Sequence, residues 1–111
     1  MVPSPSRQHQ EVVMALSATL YQALRKHPCR VYTVPLDVRL ANNQDEKDAH
    51  ITNVVQPDIV VVYGPAKLDD RGVKGAPDLI IEVTSPSTAA NDYIRKRKLY
   101  EQHGVKEYWV V

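Results

Sequence analysis

The stretch Pro77–Thr88, reading P-D-L-I-I-E-V-T-S-P-S-T, constrains this chain more than any other. Leu79, Ile80, Ile81 and Val83 form a short aliphatic run bounded by prolines, the pattern of a strand buried on both faces. Glu82 interrupts it. A carboxylate inside a buried strand is costly unless something pairs with it or binds it. Side chains alternate along a strand, so Asp78, Ile80 and Glu82 share one face, and Leu79, Ile81 and Val83 the other. Ser85-Pro86-Ser87-Thr88 then predicts a turn leading into a helix.

The rest of the chain supplies partners for that strand. Ser4 or Ser6 can cap a first helix running to about His27. His9, Val12, Val13, Leu16, Leu20, Ala23 and Leu24 recur on one of its faces. His9 is the odd member. It reads either as a partly buried histidine bonded to backbone or as a residue of the site. His27-Pro28 ends the helix. Val31–Leu40 predicts a strand, with Pro35 marking an edge or a bulge in its middle. Ala41–Asn53 predicts a solvated loop. His50 lies there with Asp45, Glu46 and Asp48, a charge-rich tip in which a metal cluster is conceivable.

Val54–Tyr63 is the second apolar run. Asp58 opens its buried part, with Val60 and Val62 on the same face. Gly64–Ala76 predicts a polar loop, either a flap or a hairpin connection. A second helix is expected from Thr88 or Asn91 to His103, stopped by Gly104. Asp92, Lys96, Leu99, Tyr100 and His103 fall on one side of it, and Arg95, Arg97, Lys98, Glu101 and Gln102 on the other. Val105–Val111 predicts a last strand.

The totals exclude some classes. A net charge of +1 rules out a polycation, so any nucleic-acid binding must use a local patch. No apolar run approaches the roughly 20 residues of a membrane span, and the N-terminus lacks the order of a signal peptide. The single cysteine, Cys29, cannot form an internal disulfide, which points to a reducing cytoplasmic setting. Residues 1–111 are expected to form one domain.

Asp58, Glu82 and Lys96 are the residues that can carry chemistry. Neighbouring strands lie about 4.8 Å apart, so Asp58 and Glu82 can share one cation. Asp78 and Glu82, about 13 Å apart along one strand, cannot easily do so. Asp78 is therefore expected as a supporting acid. Oxygen donors without clustered Cys or His suit Mg²⁺ or Mn²⁺, with the Val83 carbonyl as a further ligand. Lys96 reads either as an i,i+4 partner of Asp92 or as a cation held beside the metal site.

The segments P-D-I-V-V-V, P-D-L-I-I-E-V-T-S-P-S-T and D-Y-I-R-K-R-K-L-Y-E-Q-H-G-V-K-E-Y-W-V-V resemble the Uma-type restriction endonucleases of the PD-(D/E)XK nuclease superfamily. The likeness runs from about Ser6 to the end and is most specific over Pro77–Val111. It implies an α/β (α+β) restriction-endonuclease-like fold, a mixed sheet flanked by helices. It also implies that Asp58 and Glu82 are the metal-binding acids. The superfamily's lysine would fall at position 84, which is Thr84 here, and Lys96 on the following helix is the matching cation. Family members look longer at both ends, so a shortened member is expected, with an open sheet edge that favours a homodimer.

The function expected is Mg²⁺-dependent hydrolysis of DNA phosphodiester bonds. His9 and Tyr100 would support the site, and Arg71, Lys74, Arg95, Arg97 and Lys98 would contact the DNA backbone. The rival reading is an inactive nucleic-acid-binding or protein-interaction module of the same fold.

Overall fold

The strand bearing Glu82 is Leu79–Glu82, and all four of its residues are buried. It lies within a computed structural model that describes residues 6–84 and 90–111, with side chains of 6–84 and 92–111. The elements in order are α1 (Arg7–Ala23), β1 (Cys29–Thr33), β2 (Asp37–Arg39), a 3-10 turn (Asp48–His50), β3 (Val54–Val55), β4 (Ile59–Tyr63), β5 (Leu68–Asp69), β6 (Gly72–Lys74), β7 (Leu79–Glu82), α2 (Ala90–Gln102) and β8 (Glu107–Val110).

Two mixed four-stranded sheets result, ordered β1-β4-β7-β8 and β3-β2-β6-β5. In the first, β4 runs antiparallel to β1 and β7, whereas β8 runs parallel to β7. A parallel neighbour requires a crossover, and α2 provides it. The inner strands β4 and β7 carry the aliphatic runs because both of their faces are covered. Ile59, Val61, Leu79, Ile81 and Val83 pack with Val13 beneath α1, joined by Val12, Leu16, Leu20 and Leu24. On the opposite face, Val60, Val62 and Ile80 meet Val38, Leu40 and Val73 of the second-sheet side, and Tyr100 of α2. Each such side chain contributes about 1.5–3 kcal/mol on burial.

Local chemistry sets the ends of α1. The Ser6 hydroxyl accepts the His9 backbone N–H at 3.1 Å, a cap that starts the helix as expected. The helix ends at Ala23 rather than near His27, with the Leu24 N–H bonded to the Leu20 carbonyl.

Three further features depart from the sequence reading. Val31–Leu40 is two strands, β1 and β2, in different sheets, with Pro35 between them. Val54–Tyr63 likewise divides into β3 and β4, at Pro57. Proline removes the N–H that a continuous ladder needs, so each run changes sheets there. The loop Gly64–Ala76 contains β5 and β6, and β6 joins β2 in parallel. Gly72 permits that approach: its φ is +131°, and a Cβ there would strike the Asp37 carbonyl. Half of the second sheet, β5 and β6, therefore arises from a segment that reads locally as a loop, while β2 and β3 come from runs read as strands. The turn expected over Ser85–Thr88 lies outside the described residues.

Candidate active site

Asp58 stands one residue before β4. Ile59 pairs with Ile81, so one further step of the register brings Asp58 opposite Glu82. Two donors hold the aspartate. The Val83 backbone N–H donates to its Oδ2 at 2.8 Å, and His9 Nε2 lies 3.2 Å from the same oxygen. His9 thus comes from α1 to the start of β4 as a contact of the acid, not as a histidine bonded to backbone through its Nε2. Its Nδ1 is buried without a partner among the described residues.

Glu82 is only 7% exposed. Its Oε1 accepts the Tyr100 hydroxyl at 3.4 Å, and Lys96 Nζ lies 3.6 Å from that oxygen. Burial pushes the Glu82 carboxyl above the ordinary carboxylate range. Lys96 and Tyr100 oppose that shift, and the neighbouring charge of Asp58 adds to it. Lys96 also lies 3.4 Å from Asp92 Oδ2, so both readings of this lysine coexist in one geometry. Burial and Glu82 together raise the Tyr100 hydroxyl far above its usual pKa, which makes it a donor.

Among the described residues, every hydrogen bond to the two carboxylate groups falls on Asp58 Oδ2 or Glu82 Oε1. Each carboxylate keeps its other oxygen. Among the described residues no three His, Cys, Asp or Glu side chains gather as a metal-binding group, the loop around His50 included. Two carboxylates suit Mg²⁺, which is commonly held by one or two carboxylates with water and substrate phosphate completing its shell. A buried acid raised chiefly by its burial, with the half-buried Asp58 beside it adding to the shift, is also the electrostatic setting that a dication relieves.

Other candidates lie elsewhere. Asp78 does not join the pair: its Oδ2 accepts the Tyr63 N–H at 2.6 Å, and its Oδ1 lies 3.3 Å from Lys106 Nζ. It holds the opposite end of β7. Arg71 and Lys74 both face Asp48, at 3.0 Å and 3.8 Å, in a cluster around the buried Arg39. Arg39 donates to both oxygens of Asp48 at 3.1 Å and also pairs with Asp69. That cluster fastens the 3-10 turn and β5 to β2. On α2, Arg95 pairs with Asp92 and Arg97 with Glu101, and both arginines remain mostly exposed. Lys98 is exposed beside them. Sequence periodicity did not single out Tyr108, whose buried hydroxyl shares the Glu82 face. The alternation of V-K-E-Y-W-V-V is the signal that places it there.

The site thus sits on a mixed α+β sheet flanked by helices, with an acid pair at the end of its inner strands and a lysine supplied by the next helix. A family model, Uma2, described as "Putative restriction endonuclease", matches residues 1–111, and the chain belongs to that family. A similar solved structure is described as "a putative nuclease belonging to DUF820" from Anabaena variabilis. It is 18% identical with a TM-score of 0.73, and the match covers 98% of this chain and 59% of that one. The chain therefore spans under two thirds of that protein's length. No curated protein matches it.

Proposed function

We propose that this chain forms the active centre of a divalent-metal-dependent endonuclease that hydrolyses DNA phosphodiester bonds. The observation that carries the proposal is Lys96 Nζ lying 3.6 Å from Glu82 Oε1, at the end of the sheet where Asp58 stands opposite. Asp58 and Glu82, with the Val83 carbonyl, would hold Mg²⁺ or Mn²⁺. When bound, such an ion supplies Lewis-acid chemistry, acidifying water and neutralising phosphate charge.

The chain's own groups prepare the site. His9 and the Val83 N–H fix Asp58 by its Oδ2, so that among the described residues Oδ1 is left to bind. Tyr100 turns Glu82 through Oε1. Lys96 brings a positive charge on a flexible stem, able to leave Oε1 for a phosphate oxygen where transition-state charge develops. Arg95, Arg97 and Lys98 offer an exposed basic face to the DNA backbone. The exposed Arg71 joins that role only by giving up Asp48, as does the more buried Lys74.

Plasmid nicking with and without Mg²⁺ tests the activity, and calorimetry with Mn²⁺ on the wild type and Asp58→Ala tests the site. Metal-dependent nicking together with a Mn²⁺ site lost in Asp58→Ala is the expected result. DNA binding without either would identify the inactive binding module instead.

A further inference from the structure

The signature G-V-K-E-Y-W-V-V has no role in the metal chemistry above, yet β8 carries it alongside β7. The parallel register pairs Tyr108 with Ile80 and Val110 with Glu82. Paired residues share a face, so Tyr108 lies on the Glu82 face, two positions along the neighbouring strand. Its ring packs edge-to-face on Tyr100, with centroids 5.1 Å apart. Tyr100 is the residue whose hydroxyl already reaches Glu82. The Tyr108 hydroxyl is buried and has no partner among the described residues. Leaving a buried hydroxyl unpaired costs about 1–3 kcal/mol, and buried polar groups are nearly always satisfied by protein or water. Burial raises its pKa, and the acids Glu82 and Asp92 in its field add to the rise, so it acts as a donor and not as an anion.

We infer that Tyr108 is a positioning residue that acts through Glu82, its hydroxyl donating by way of one water to the glutamate carboxylate. The Glu82 side chain has three rotatable bonds. Its described restraints are two loose contacts to one oxygen, at 3.4 Å from Tyr100 and 3.6 Å from Lys96. A third donor from β8, on a strand hydrogen-bonded to β7 itself, narrows the orientations of that carboxylate. The edge-to-face packing on Tyr100 restrains the ring. This inference rests on the reading of Asp58 and Glu82 as a metal-binding pair.

The test is Mn²⁺ calorimetry and thermal melting of the wild type and Tyr108→Phe. Phenylalanine keeps the ring and removes only the hydroxyl. The expected result is a Mn²⁺ affinity about tenfold lower, as for loss of an outer-shell partner, with Tm unchanged. An idle hydroxyl would give the opposite pattern: equal affinity and an equal or higher Tm. That outcome overturns the inference. An unfolded Tyr108→Phe would also overturn it, by making the hydroxyl part of the fold. On the wild type alone, the assigned Tyr108 Cζ resonance should shift when Mg²⁺ is added, and an unmoved resonance counts against the assignment. Failure of the wild type to bind Mn²⁺ would remove the acid-pair reading first, and this inference with it.

Discussion

Lys96 reaches Glu82 from a helix, not from the strand that carries the glutamate, and its Nζ stands 3.6 Å from Oε1. The strand position two residues beyond Glu82 is Thr84, whose hydroxyl donates to the Val111 carbonyl at 2.9 Å. Thr84 is thus spent on joining β7 to the chain end, and the positive charge comes from α2. Asp92, one turn earlier, holds the same ammonium at 3.4 Å.

Lys96→Ala should lower nicking by about 10²-fold, as when a transition-state charge partner is lost. Mn²⁺ affinity should be unchanged or tighter, because Lys96 is no ligand and its charge competes for Glu82. The Tm of the metal-free protein should fall, since a buried carboxylate loses its counter-charge. Nicking rates, calorimetry and a melt on one preparation check all three.

Glu82→Gln should abolish Mn²⁺ binding and leave metal-free stability equal or higher. The buried charge is removed, while Lys96 retains Asp92 as its partner. A large drop in Tm would show that the carboxylate holds the fold together, against the metal-site reading.

His9→Ala should weaken Mn²⁺ binding by about 10-fold or more, the usual effect of losing the partner that orients a ligand. His9→Gln places an amide donor near the Nε2 position and should recover part of the affinity. Equal affinities in the wild type and both variants would show that the Val83 N–H alone suffices to hold Asp58.

The Arg39 cluster has a defined pH dependence. The hydrogen bond from Arg39 holds the Asp69 carboxyl below the ordinary range. A depressed carboxylate contributes stability above its unfolded pKa, roughly 4, and loses it as pH falls through the lower folded value. Urea midpoints of the wild type and Asp69→Asn should therefore differ at neutral pH and converge in strong acid. A gap that persists in acid would place the effect outside Asp69 ionisation.

Replacing Arg97 and Lys98 together with Gln should weaken DNA binding equally for unrelated sequences. The slope of log affinity against log salt should fall by about 0.9 per lost phosphate contact. An unchanged slope would leave this face merely solvated.

Features encoded in short-range periodicity were legible without a structure. The β-branched run around Glu82 specifies a strand buried on both faces, and that burial makes its carboxylate conspicuous. The helical spacing of Lys96, Leu99 and Tyr100 puts all three on the inner side of α2. Ser6 caps α1 by a contact three residues long. Tertiary structure decided what depended on distant partners. Pro35 and Pro57 each marked an interruption, but not that the chain would change sheets there. The sheet β3-β2-β6-β5 is assembled from segments of two or three residues, too short to show a period of their own. Arg39 was unremarkable until Asp48 and Asp69, 9 and 30 residues away, closed around it. His9 could be read two ways on its helix, because only the packing of α1 under β4 brings Asp58, 49 residues on, within 3.2 Å. Local pattern reports which face a side chain takes, and only the folded pairing of strands and helices reports what it meets there.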